Sequence, residues 1–216
     1  QPVHVVVRVV PAAHGLRRRS CYHAIRWAVQ HMLRHAERFR VVHVSIQRTH
    51  LHLLVEAEDQ RALARGMQGF QISAARHLNR AISAERAERG LPPRRSCVFP
   101  DRYHAEILRS PTQARNALAY VLNNWRKHWR EIPVAQRGFA IDLFSSGPAF
   151  PGWAEHAGEP FLRRGPPPYE PLLIHQPRSW LLRVGYRRGG PPISLAEVPS
   201  SRAVAGSVDA ERVRSA

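Results

Sequence analysis

Lysine is nearly missing from this chain. Lys127 is the only one among 33 basic residues, so almost all of the positive charge is arginine. The planar guanidinium fork binds phosphate oxygens bidentately and stacks on bases, which a lysine ammonium does not do. A GC-rich genome would also favour arginine codons, but codon choice does not account for a net charge of +17. That excess argues against an ordinary small-molecule enzyme and for a polyanionic partner, nucleic acid first. The basic residues are spread along the whole chain and not along one amphipathic helix, which speaks against a membrane surface. Cysteine is scarce too. Cys21 and Cys97 stand far apart without metal-type spacing, which excludes a zinc ribbon and suits a reduced cytosolic setting. No apolar run reaches the ~20 residues that cross a bilayer, and the start carries no signal-peptide pattern. A length of 216 residues leaves room for one sizeable core and a tail.

Within these bounds the chain reads as alternating strands and helices. "VHVVVRVV", Val3 to Val10, is a β-branched run closed by Pro11 and Gly15, hence a buried strand. From Ser20, read as an N-cap, Ala24, Ile25, Ala28, Met32, Leu33, Ala36 and Phe39 recur at three- and four-residue steps and predict a helix to about Phe39. Two strands, Val41 to Gln47 and Thr49 to Glu56, are close enough for a tight hairpin. A long helix follows over 60–86, carrying Leu63, Met67, Phe70, Ala74, Leu78 and Ile82, and "GLPPRRS" ends it. "RYHAEILR" alternates as a strand. Ser110-Pro111 then starts a helix expected to run to about Trp129. This order predicts an α+β, ferredoxin-like split βαβ fold: a four-stranded antiparallel sheet with helices on one face, one extra helix and an irregular tail. Beyond Ile132, Pro, Gly and Arg dominate around short apolar islands. Residues 1–131 are therefore expected to form the main domain and 132–216 an extension that partly wraps it or hangs loose.

One strand stands out for chemistry. In "THLHLLVEA", His50 and His52 are two apart and therefore project from the same face of the sheet. Two imidazoles so placed suit one divalent ion or a phosphate; equally, they are partly exposed strand histidines in a chain with 13 of them. Glu56, further along that face, is either a third ligand or a solvated strand-end charge. On the last helix Tyr120 and Asn124 are one turn apart, beside an apolar stripe of Leu118, Val121, Leu122 and Trp125. A mid-helix tyrosine is ordinarily a core residue with its hydroxyl at the rim. If its face meets the histidine pair, its phenol becomes a candidate nucleophile toward phosphorus, provided a cation offsets its ordinary pKa of about 10.

Together, "SIQRTHLHLLVEAED", "LARGMQGF", "FPDRYHAEILRSP" and "RNALAYVLNNWRKH" resemble the HUH-superfamily single-tyrosine transposases, in particular the branch that includes the REP-associated tyrosine transposases. "PVHVVVRV" is similar to that family's first strand, and "SSGPAFPGW" and "WLLRVGYRRGG" to C-terminal parts of one bacterial branch. The similarity spans residues 2 to 130 or so. It implies that His50 and His52 bind one divalent cation, Mg²⁺ or Mn²⁺, with Asn124 as third ligand (Asn123 being the lesser alternative), and that Tyr120 is the attacking tyrosine. Many relatives carry Asn or Asp where this chain has Thr49, a change that bears on how the first histidine is oriented. His4 and His104 match family positions from which no defined role is carried over; each is expected to be structural or DNA-contacting and not catalytic.

The implied activity is cleavage and rejoining of single-stranded DNA at hairpin-flanked sites through a 5′-phosphotyrosine link, by a cytoplasmic, nucleoid-associated bacterial protein; if two ends must be held together the family implies a homodimer, with Tyr120 acting on the histidine pair of its own chain or of its partner. Arg76, Arg80, Arg94, Arg95 and Arg102 are expected to hold the DNA backbone, on the strength of the collective charge alone. Tyr22, Tyr103, Trp125 and Trp129 are candidates for stacking on bases, with core packing the first expectation for each. Competing readings are a non-catalytic nucleic-acid-binding domain, a metal-independent RNA endonuclease of the same fold in which a histidine acts as base, and a replication initiator or relaxase, which often orders these motifs differently.

Overall fold

Three strands buried along almost their whole length build the centre of the molecule. The computed structural model of the chain describes residues 1–35, 37–100, 102–127, 141–156 and 169–199. Strands β1 (Pro2–Arg8), β2 (Phe39–Ile46), β3 (His50–Ala57) and β4 (His104–Ile107) form one antiparallel sheet in the order β2-β3-β1-β4. Val3, Val5 and Val7 of β1 and Leu51, Leu53 and Val55 of β3 face one side, as period-two alternation requires. Helices α1 (Arg19–Met32) and α2 (Gln60–Ala87) cover that side with Ile25, Val29, Met67, Phe70 and Leu78. The predicted split βαβ plan is therefore the observed one. In β2 a bulge between Val41 and His43 breaks the alternation, so that Val41 and Val44 enter this core while Val42 points to the other face.

That other face is covered as well. Helix α3 (Pro111–Asn123) lies over it, starting at the predicted Ser110-Pro111 with a capping box between Ser110 and Gln113. Leu118, Val121 and Leu122 of α3 join Val42, Leu54, Phe150, Trp153, Tyr186 and Ile193 in a second core. The segments 141–156 and 169–199 thus complete a layer of the domain. They are pinned by polar contacts: His43 Nδ1 meets Ser146 Oγ at 3.0 Å, and the Ser146 backbone N–H donates to the carbonyl of Val44 at 2.8 Å.

Several boundaries differ from the sequence reading. Ser20 is not the N-cap of α1; Arg18 is, and Ser20 lies in the first turn, where its hydroxyl donates to Glu85 of α2. The helix stops at Met32, and Phe39 opens β2 instead, with its ring against Gly66 of α2. A Cβ on Gly66 would collide with the Phe39 ring, so only glycine admits this crossing. Helix α3 ends at Asn123 rather than near Trp129, because Asn123 leaves helical geometry (φ −110°, ψ 8°) and anchors its amide to the Ser194 carbonyl at 2.9 Å. Asn124–Arg126 continue as a 3₁₀ turn; Trp129 and Ile132 lie outside the described residues.

The strongest tie between the later segments and the rest is a buried ion pair. Arg17 donates to both oxygens of Asp142, at 2.6 and 2.9 Å, and also to the Ile46 carbonyl at 3.0 Å. Removing one partner leaves an uncompensated buried charge, which costs about 3–5 kcal/mol. Asp142→Ala is accordingly expected to lower the urea midpoint of unfolding by an amount equivalent to at least about 3 kcal/mol. A shift equivalent to less than about 1 kcal/mol, the scale of an exposed ion pair, would show that this contact does not clamp the second layer.

Candidate active site

The second face of the sheet carries an unusual polar stripe for a covered surface. Alternation puts His4 of β1 and His50, His52, Leu54 and Glu56 of β3 on it together. His4 pairs across the strands with Leu54, which makes it the diagonal neighbour of His52. The side chains form a chain of contacts. Thr49 Oγ1 lies 3.1 Å from His50 Nδ1, His50 Nε2 lies 2.9 Å from His52 Nε2, and His52 Nδ1 lies 3.2 Å from His4 Nε2.

Helix α3 brings the tyrosine to this array. The Tyr120 ring packs edge-on against His52, with centroids 5.1 Å apart, and against His4 at 5.9 Å. Both the tyrosine and the histidines belong to one chain. Tyr120 is half-buried, and burial pushes its phenol above the ordinary value, so it keeps its proton at neutral pH. Lys127 Nζ sits 4.4 Å from the centre of its ring, and burial moves that ammonium downward. The chain's single lysine thus supplies a cation beside the phenol; the sequence reading had assigned it no role.

Two imidazole nitrogens 2.9 Å apart fit one small cation. Adjacent ligands on an octahedral ion with bonds of about 2.1 Å stand about 3.0 Å apart. Each of these histidines also has a partner on its outer nitrogen, Thr49 for His50 and His4 for His52, the arrangement that orients metal-binding imidazoles. Among the described residues no group of three or more His, Cys, Asp or Glu side chains is gathered as a metal site, so a further donor drawn from these residues would be of another type. Asn124 is one candidate. It is fully buried, and neither its Oδ1 nor its Nδ2 has a hydrogen-bond partner among the described residues. It follows the break at Asn123, so it does not stand one regular α-turn below Tyr120. Asn123 is already engaged by Ser194.

Glu56 is not available as a ligand. Its oxygens accept the backbone N–H groups of Arg178 and Ser179, at 2.8 and 2.7 Å, ahead of the short helix α4 (Trp180–Arg183). Two of the named arginines stand away from the histidine face. Arg76 and Arg80 are exposed on α2, which packs on the opposite side of the sheet. Arg94 clasps the loop after α2, bonding Asn79 Oδ1 and donating to the carbonyls of Ser96 at 3.0 Å and Cys97 at 2.6 Å. Arg95 and Arg102 are exposed. Tyr22 and Trp125 are buried, and the Tyr22 hydroxyl donates to the Glu170 carbonyl at 2.6 Å, so neither offers a ring face to a base; Tyr103 is half-buried. Among the described residues the solvent-facing large aromatics are instead Trp27 and Trp180, 55% and 50% exposed.

Burial also sets how this face answers to pH. Desolvation takes His4 down to about 4, with His104 adding repulsion, and takes His43 down to about 3. Both rings are neutral in the folded state, whereas in the unfolded chain they take up protons below about pH 6.5. The stability they contribute is complete above that pH and is lost as pH falls, down to about 4 for His4 and about 3 for His43. Melting temperature is expected to drop across this window, and His43→Asn to flatten the drop; a profile identical for the two proteins would contradict the assignment.

No family model matches the sequence, and no curated protein matches it. The fold is similar to a solved REP-associated tyrosine transposase bound to a REP hairpin, with 14% identity, a TM-score of 0.44, and coverage of 59% of this chain and 67% of the other. It is also similar to a protein from Deinococcus radiodurans R1 assigned as a transposase, with 11% identity, a TM-score of 0.39, and coverage of 61% and 89%. Identities this low carry no residue roles from either protein.

Proposed function

We propose that this protein is a single-tyrosine transposase of the HUH type, which cleaves and rejoins single-stranded DNA at hairpin-flanked sites. The observation that supports it most is the packing of the Tyr120 ring on His52, whose Nε2 converges with that of His50. A metal-free binding module has no need of a phenol against two converging imidazoles beneath a lysine. His50 and His52, with Asn124 as a third donor, would hold a divalent cation, Mg²⁺ or Mn²⁺, which when bound supplies positive charge to a non-bridging oxygen of the scissile phosphate.

In this reading the Tyr120 oxygen forms a bond to phosphorus while the bond from phosphorus to the 3′ oxygen breaks. The phenolic proton is released to solvent, and the departing 3′ oxygen takes up a proton to become a hydroxyl. Lys127 stabilises negative charge as it develops on the phenol. A 3′-hydroxyl from the same or another strand reverses the step, so the bond energy is conserved and no nucleotide cofactor is required. The site is assembled in cis, and a homodimer, if formed, would serve to bring two DNA ends together. The arginine excess would hold the backbone, and hairpin-bearing DNA is the substrate class implied by the sequence resemblance.

The test is incubation with hairpin-bearing single-stranded DNA and Mn²⁺, followed by denaturing electrophoresis. A 3′-labelled strand should migrate with the protein, and a 5′-labelled strand should yield a shortened free fragment. Cleavage without a protein adduct, or cleavage of RNA that a single 2′-deoxy substitution blocks, would favour the endonuclease alternative. Binding without cleavage would leave a nucleic-acid-binding domain.

A further inference from the structure

His4 is a fully buried imidazole with no place in the reaction described above, yet it touches both groups on which that reaction depends. Its Nε2 lies 3.2 Å from His52 Nδ1; the two rings are nearly parallel, 20° apart, with centroids separated by 5.3 Å. Its own ring meets Tyr120 edge-on. An imidazole has one proton to place when neutral, and the nitrogen without it is the one that ligates. If His52 is to present an unprotonated Nε2 toward His50, its proton must be on Nδ1, and His4 Nε2 lies in hydrogen-bond reach of Nδ1. We infer that His4 is a positioning residue. It accepts a hydrogen bond from His52 Nδ1–H, fixes the tautomer and ring plane of His52, and so keeps His52 Nε2 unprotonated toward a divalent cation beside His50.

This inference rests on the metal-binding reading proposed above. It makes the two ligand histidines unequal. His50 has on its Nδ1 a threonine hydroxyl, which rotates to donate or accept and so permits either tautomer. His52 has a ring nitrogen held in a buried strand, which accepts only when His4 carries its own proton on Nδ1. The first ligand is thus adjustable and the second is preset. Outer partners of this kind are worth about 10–100-fold in metal affinity.

Two measurements on the full chain decide it. Mn²⁺ titration followed by electron paramagnetic resonance compares the wild type, His4→Phe and His4→Gln. The expected result is about 10–100-fold weaker binding for His4→Phe. Binding should recover to within a few-fold in His4→Gln, whose amide oxygen reaches about as far as Nε2. Independently of any variant, ¹⁵N spectra of Mg²⁺-saturated wild type should show His52 protonated on Nδ1, with a ¹⁵N–¹⁵N coupling across the hydrogen bond to His4 Nε2. Equal Mn²⁺ affinity in wild type and a folded His4→Phe, or a His52 protonated on Nε2, overturns the inference while leaving the metal site in place. A wild type that binds neither ion overturns both. If His4→Phe does not fold, the tautomer and the coupling in the wild type decide alone.

Discussion

Tyr120→Phe is expected to abolish the covalent protein–DNA adduct and to reduce strand cleavage by at least about 10³-fold, the scale on which removal of an attacking group acts. The substitution deletes one oxygen and keeps the ring. The ring is what packs on His52 and His4 and lies beneath Lys127, so the fold and the array should be undisturbed. DNA affinity should therefore remain within a few-fold of the wild type. A Tyr120→Phe protein that still forms the adduct would move the nucleophile elsewhere. One that cleaves at the wild-type rate without an adduct would replace the tyrosine mechanism with a hydrolytic one. Loss of DNA binding in parallel with cleavage would instead assign Tyr120 to substrate contact.

The second large effect is expected at the histidine pair. His50→Ala and His52→Ala should each lower cleavage by about 10²–10³-fold, the scale on which loss of one strong electrostatic stabiliser acts. Chelation with EDTA should do the same to the wild type and be reversed by added Mn²⁺. The two substitutions are not expected to add. Their nitrogens stand 2.9 Å apart and would share one ion, so removing either empties the same site and the double variant should be little worse than a single one. Full activity in EDTA, with activity still lost in His52→Ala, would point to the metal-independent reading, in which an imidazole itself moves a proton. The two alanine variants should also differ in stability. His52 is buried and touches His4 and Tyr120, whereas His50 is only partly buried at the end of β3.

Much of this arrangement could be read from residue patterns, because the signals were local. The hairpin around Gln47–Thr49, the capping box at Ser110 and the same-face relation of His50 and His52 all follow from neighbours within a few positions. What escaped depended on contacts distant in the chain. Phe39 continued the helical stripe of α1 by spacing, but its ring is claimed by Gly66 of α2, and the strand begins there. The last helix had no breaker before Trp129; it stops at Asn123 because Ser194, 71 residues later, takes the side chain. The Pro- and Gly-rich region carried apolar islands too short to suggest a layer. Phe150, Trp153, Tyr186 and Ile193 nonetheless combine with α3 into a second core.

The candidate site divides in the same way. The pair on β3 and the tyrosine on α3 were each visible, and their meeting follows from α3 lying across the face opposite α1 and α2. His4 was in view without a role, because its position beside His52 exists only once β1 and β3 are paired in register. That register was within reach: two strands with alternating Val and Leu admit few pairings that bury both apolar sets on one side, and the observed one puts His4 diagonal to His52. The arginines are a different case. Charge counted along a chain says that a polyanion binds and nothing of which face it meets. Arg76 and Arg80 lie across the sheet from Tyr120.

The central claim, that the Tyr120 oxygen attacks phosphorus, is tested most directly by locating the covalent bond. Trypsin cuts after Arg115 and Arg126 and releases Asn116–Arg126, a peptide in which Tyr120 is the sole tyrosine. After reaction with hairpin-bearing single-stranded DNA and nuclease trimming, mass spectrometry should find this peptide heavier by a nucleotide joined to the Tyr120 oxygen through its 5′-phosphate. A nucleotide on any other residue, or cleaved DNA with this peptide unmodified throughout the time course, would contradict the account.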